Sequence, residues 1–194
     1  METALSIALG IGLAAACGFR IFVPLLIVSA ASFTGHITLS SGFEWIGTLP
    51  SLVVFGTATV LEILAYYIPW LDQLLDTVAT PAAVVAGVVT SASVFTEVSP
   101  LLRWIFALIG GGGIAGLVQG ATALTRLKLT TLTGGLGNPI LSTAELFGSI
   151  TTSLLALFVP VICVIMILAG VGIVFILARR LLFGRRRLTA KPVN

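Results

Sequence analysis

The stretch TLTGGLGNPILSTAELFGS, residues 131–149, sets four glycines and an Asn-Pro pair around and ahead of a glutamate, Glu145, that falls inside an apolar run. In a water-soluble chain such a turn would be compared first with loops that cradle phosphate. It fits neither nucleotide pattern: no Lys-Ser/Thr pair follows the glycines, and GGLG lacks the spacing of a dinucleotide fingerprint. What surrounds the stretch decides how it is read.

The 194 residues are 58% hydrophobic and only 9% charged, with a mean hydropathy of +1.18. A soluble domain carries about a quarter charged residues, so lipid is the solvent for most of this chain. The expected fold class is all-α, a polytopic transmembrane helix bundle. The net charge of +3 is concentrated in Arg179, Arg180, Arg185, Arg186, Arg187 and Lys191, with Arg126 and Lys128 in a second group. A basic tail directly after an apolar helix reads as the positive-inside signal, not as a nucleic-acid arm, and contact with lipid headgroups comes with it. Cys17 and Cys163 both lie in apolar runs, which argues against a disulfide framework. The run AAACG ending near Cys17 lacks a basic n-region before it, so the first segment is read as retained.

At about 20 residues per crossing, six spans can be drawn: 4–30, 51–68, 81–95, 101–124, 140–159 and 161–183. The first is interrupted by Arg20 and Pro24, and the third is short unless it begins within WLDQLLDT. The last two abut at Pro160, where a tight hairpin and one kinked helix both fit. Trp45, Trp70 and Trp104 fall at span edges, the level that indole rings favour. With the N-terminus cytoplasmic, the 125–138 loop and the basic tail 184–194 both lie inside, and Arg103 is the one base outside.

The halves, about 1–96 and 97–183, resemble each other. Gly10, Ala14 and Gly18 stand four apart, as do Gly112, Gly116 and Gly120; FGTATVLEILAYYIP (55–69) parallels FGSITTSLLALFVP (147–160). Three spans per half would invert the second copy relative to the first, the plan of many secondary transporters. Small residues four apart share a helix face and let backbones approach closely in lipid. They can serve packing of the first span against the fourth or a homodimer seam.

Charges within spans cost about 2.5–3.5 kcal/mol each on insertion scales, so Arg20, Glu62 and Glu145 need partners or a watery cavity. At about 1.5 Å per residue, Glu62 lies roughly 9 Å and Glu145 roughly 8 Å from the same inner surface. Asp72 and Asp76 follow, one helical turn apart, and together the four carboxylates outline an acidic cytoplasmic vestibule suited to proton or ion coupling. Arg20 sits deeper. It can pair with Glu62 if Pro24 bends the first helix, meet an anionic solute with its planar fork, or snorkel to the interface. Tyr66 is one turn beyond Glu62 and shares its face, while Tyr67 reads as an interface anchor.

The opening stretch now has a reading. Asn138 is a good N-cap and Pro139 a good first helical residue. Gly135 and Gly137 let the chain turn into the membrane plane, and the fifth helix then presents free N–H groups to an anion with Glu145 one to two turns inside. An ordinary capped helix after a flexible loop is the competing reading. His36 stands alone in a polar loop, so no metal site is expected, and no nucleophile-elbow, zincin or kinase pattern points to an enzyme.

Three motifs, GFRIFVP (18–24), LEILAYYIPWLDQLLDTVATPAAVVAG (61–87) and TGGLGNPILSTAE (133–145), occur in this order. By them the chain resembles a bacterial integral-membrane family filed as domain of unknown function 4126. The resemblance implies that Arg20, Glu62, Asp72, Asp76, Asn138 and Glu145 belong to family signatures, and implies a bacterial cytoplasmic membrane. Many members carry a charged or acidic residue where Tyr66 and Tyr67 stand here, so it implies no role for that pair. It brings no activity. The expectation is a small secondary transporter or channel-like permease without cofactor. Arg20, Tyr66, Gly135, Gly137 and Asn138 would bind a small anionic or polar solute, and Glu62, Asp72, Asp76 and Glu145 would couple a proton or ion. The alternative is a non-transporting protein that binds lipid or a partner, a lipid-phosphate flippase included.

Overall fold

Pro24 determines the first feature of the architecture. In a continuous helix its ring would clash with the carbonyl of Arg20, four residues back, and it has no N–H to donate there. In the computed structural model the chain accordingly breaks: α1 (Glu2–Phe19) ends just before Arg20 and α2 (Phe22–Phe33) starts just after Ile21. The single span expected over 4–30 is thus two helices. The structure describes residues 2–183, apart from the side chains of residues 69, 70, 72, 73, 76 and 174–183. The side chains of Asp72, Asp76, Trp70, Arg179 and Arg180 and the tail 184–194 therefore lie outside the described residues.

A loop and one 3-10 turn (Glu44–Gly47) lead into α3 (Leu49–Ala65), which has Pro50 in its first turn. α4 (Pro69–Val94) starts earlier than the span drawn at 81–95, because proline is well tolerated in a first helical turn. α5 (Pro100–Phe106) passes through a π-helical turn, Ala107–Gly112, into α6 (Gly113–Thr133). α7 (Asn138–Phe158) and α8 (Pro160–Phe183) follow, and no strand occurs among the described residues. The stretches Glu2–Phe19, Thr77–Val94, Pro100–Thr133 and Asn138–Phe158 are long and apolar enough to cross a membrane, with shorter apolar helices at Phe22–Phe33, Leu49–Ala65 and Pro160–Ile173. The described residues are those of an all-helical membrane protein.

Two boundaries differ from those expected. α6 runs on to Thr133, so Arg126 and Lys128 are helical and the supposed 125–138 loop shrinks to a turn over residues 134–137. Gly134 and Gly135 close that turn at φ 63° and 90°, a region open to glycine at no steric cost. At the other boundary, Cys163 Sγ lies 3.6 Å from the Thr152 carbonyl, 11 residues back. A straight helix would hold such residues about 16 Å apart, so α7 and α8 fold back at Val159–Pro160 as a hairpin.

α1 is the hub, packed against α4, α6, α7 and α8. Its run GLAAACG allows this, because the glycines and alanines that make up most of it let neighbouring backbones come close. A Cβ on Gly18 would stand 2.7 Å from the Ala115 carbonyl oxygen of α6. α4 meets the π turn through a reciprocal pair: a Cβ on Gly87 would stand 2.8 Å from the Gly111 oxygen, and one on Gly111 2.7 Å from the Gly87 oxygen. The glycine stripe of the fourth expected span thus faces mainly α4, with a Cβ on Gly112 2.9 Å from Val88 and one on Gly116 3.1 Å from Val84.

Candidate functional site

The break after α1 leaves backbone donors in the interior, and α3 answers them. Glu62 is buried on α3, and its carboxylate accepts from Ile21 N–H at 2.9 Å through Oε1 and from Phe22 N–H at 3.1 Å through Oε2. It serves as the cap that α2 lacks in its own sequence. An acidic group at a helix N-terminus also meets the positive end of the helix dipole. The anion-receiving helix end expected at α7 is therefore found at α2, and the anion is a side chain of the protein.

Arg20 forms no ion pair with Glu62 among the described residues. Its side chain turns to α7, where Nη2 donates to the Ser142 carbonyl at 2.8 Å and lies 3.9 Å from Glu145 Oε2. Its guanidinium also covers the Tyr66 ring, 3.9 Å from the centroid. Arg126 of α6 joins them: it donates through Nη2 to Glu145 Oε2 and stands 4.5 Å from the same ring. Arg20, Glu62, Tyr66, Arg126 and Glu145 are all less than a tenth exposed. Four helices thus contribute to one centre: Arg20 at the α1 end, Glu62 and Tyr66 from α3, Arg126 from α6, Glu145 from α7.

The spacing of residues explains the assembly. Glu62 and Tyr66 are four apart on α3, and Asn138, Ser142, Glu145, Ser149 and Ser153 recur at three- and four-residue intervals on the buried face of α7. This polar seam faces α1, where Ser149 Oγ donates to the Ala16 carbonyl at 3.0 Å. Arg20 Nε, Arg20 Nη1 and Ser142 Oγ are buried with no hydrogen-bond partner among the described residues.

The turn ahead of α7 is less involved than expected. Gly137 N–H donates to Thr133 Oγ1 at 3.1 Å, and a Cβ on Gly137 would meet Leu129 of α6. Asn138 is the first residue of α7 and not its N-cap; its Oδ1 accepts from Thr130 Oγ1 at 3.1 Å. With Asn138 about 10 Å from Glu145 along the helix, Gly135, Gly137 and Asn138 shape the α6–α7 turn. Tyr67 is exposed and ties α3 to α7 through Thr143 Oγ1 at 2.8 Å. The vestibule expected from Asp72 and Asp76 lies outside the described side chains.

Arg126 is the participant that the sequence reading missed, since it had been assigned to an inner loop. It is buried in α6, and the charge argument for cytoplasmic termini loses one of its bases. Arg103, expected as an outer-loop base, is likewise buried, donating to Phe95 O at 3.1 Å and Ser41 O at 3.2 Å.

A cavity of about 640 Å³ adjoins the centre between α1, α6, α7 and α8. Ala121, Thr125, Ala144, Met166 and Gly170 are among its wall residues, and Glu145 is the one formally charged residue in that wall among the described residues. Phe19, next to Arg20 in the chain, lines it as well.

A family model described as "Domain of unknown function (DUF4126)" matches residues 7–180. The chain belongs to this family. The match to DUF4126 takes in every residue of the charged centre. Neither the curated proteins nor the solved structures yield a match to the chain.

Proposed function

We propose that the protein is a small membrane permease that handles an anionic solute at the Arg20–Arg126–Glu145 centre, with proton exchange at Glu145 as its coupling step. The observation that supports this most is Arg20, which is buried, engages α7 through Nη2, and has no acceptor for Nε and Nη1 among the described residues. A guanidinium fork matches a carboxylate or phosphate in two-point geometry. Ionisable residues gathered inside a helical bundle beside a cavity are how solute and proton paths are built in lipid. Glu145 lines the cavity and is held by Arg126, so its carboxylate stands where a passing anion would compete for the same donors. Glu62 is assigned to structure, since both of its oxygens hold backbone N–H groups. Two inverted halves, a bacterial cytoplasmic membrane and cytoplasmic termini belong to the same reading.

The test is flux in proteoliposomes with inorganic phosphate and a panel of carboxylates running from acetate to long-chain acids. The wild-type chain is expected to move at least one of them, faster when a pH gradient is imposed. Arg20→Gln should abolish uptake, and Glu145→Gln should leave exchange while removing the response to pH. Uptake by Arg20→Gln at the wild-type rate would sink the reading.

A second reading, a protein that binds lipid without transporting anything, draws on the apolar wall of the cavity. In it the charges act as internal glue, and flux stays at the level of protein-free liposomes while lipid copurifies with the chain.

A further inference from the structure

We infer that the anion carries a hydrocarbon chain: the chain lies in the cavity between α1, α6, α7 and α8, and the acidic head takes the place of the Glu145 carboxylate beside Arg20. This rests on the permease reading above and names the class of its cargo.

Two observations meet at one place. The first is the wall of the cavity, which is apolar apart from three threonines, Cys163 and Glu145. A compact polar solute held there would leave its own polar groups facing methyl and methylene surface, and unmet polar groups are costly to bury. A hydrocarbon chain meets that wall without penalty, and about 640 Å³ falls within the roughly 300–1,000 Å³ of pockets that hold small molecules. The second is the charged end. Glu145 reaches from the wall into the centre, where Arg20 Nη2 is 3.9 Å from its Oε2 and the buried Nε and Nη1 of Arg20 lack acceptors. Arg20 itself is not in the cavity wall, so an acidic head reaches it by taking the place of the Glu145 carboxylate, beside a guanidinium with donors to offer that is stacked on Tyr66 at 3.9 Å. Glu145 is the head's internal competitor. An apolar ligand would have no use for that end of the cavity, and a chainless anion none for the rest.

The experiment uses the full chain in a neutral sugar detergent and reads thermal unfolding and native mass spectra with three probes. These are palmitate, its neutral glycerol monoester, and acetate. Palmitate is expected to bind and raise Tm, and the other two are not. Arg20→Gln should weaken palmitate binding about tenfold or more, the scale of a lost charged hydrogen bond. Ala121→Phe fills the wall without touching the charges and should weaken it comparably. Glu145→Gln removes the competitor and should tighten it.

If acetate raises Tm as much as palmitate and Ala121→Phe changes nothing, the chain is not recognised; this inference falls and the anion permease stands. If the monoester binds as well as palmitate and Arg20→Gln binds both normally, the cavity is only a lipid-filled groove and the inference falls. If neither anion binds, the cargo class falls, and phosphate flux in proteoliposomes decides the permease reading.

Discussion

Glu62 and Glu145 are the same residue type, both buried, on different helices, and both reach the joint between α1 and α2. They do different work because different donors meet them. Glu62 faces backbone N–H groups that have no other acceptor, so it completes a helix end. Glu145 faces guanidinium groups carried on long side chains that can move, and it also borders a cavity. The first contact is part of the scaffold; the second can be exchanged for another anion. A buried carboxylate in a membrane protein is thus understood from its donors before its depth.

Substitutions can break this contrast. The largest effect is expected for Glu62→Leu, which strands the Ile21 and Phe22 N–H groups without acceptors. At about 1–3 kcal/mol per orphaned group, the loss is about 4 kcal/mol, seen as a large drop in thermal stability in detergent. Glu62→Gln keeps one acceptor oxygen and should lose less. If Glu62→Leu is as stable as the wild type, the capping role is wrong.

Arg126→Met comes next. Removing one partner of a buried pair costs about 3–5 kcal/mol, and Arg20 beside Glu145 keeps this case near the lower end. Stability should recover in part in Arg126→Met/Glu145→Met, because no uncompensated carboxylate remains there while Arg20 loses the Glu145 charge. No such rescue is expected when Glu62→Leu is combined with any change at Arg126, since its donors are in the backbone.

The smallest effect sharpens the boundary between the two. Tyr66 sits one turn from Glu62, and two guanidinium groups, those of Arg20 and Arg126, lie over its ring. Tyr66→Phe keeps the ring face and should change stability by less than about 1 kcal/mol, whereas Tyr66→Leu should lose about 1–2 kcal/mol of cation–π attraction. Equal losses for the two would show that the hydroxyl, not the ring, matters.

Much of this was legible in the sequence. The membrane character, the all-helical class, and Arg20, Glu62 and Glu145 as charges in need of partners follow from hydropathy and the cost of charge in lipid. Pro24 even marked the break, since its forbidden acceptor is the carbonyl of Arg20. Arg126 was not legible. Charge and polarity near residues 125–138 look the same for a loop and for a helix whose basic residue turns inward, and only the neighbours of α6 distinguish them. The seam of Ser142, Ser149 and Ser153 was present as a helical period but was overlooked because serine is weakly polar. Asn138 was mistaken for a cap because cap preferences ignore a competing donor such as Thr130.

The carboxylate that caps α2 has a consequence for biogenesis. Ile21 and Phe22 must wait until residue 62, about two score positions later in synthesis, has left the ribosome before their N–H groups find the acceptor they keep. An open backbone joint costs several kcal/mol in hydrocarbon, so α1 and α2 should not settle into lipid ahead of α3. The first three helices should leave the insertion machinery together, and a chain truncated before Glu62 should be retained there or degraded.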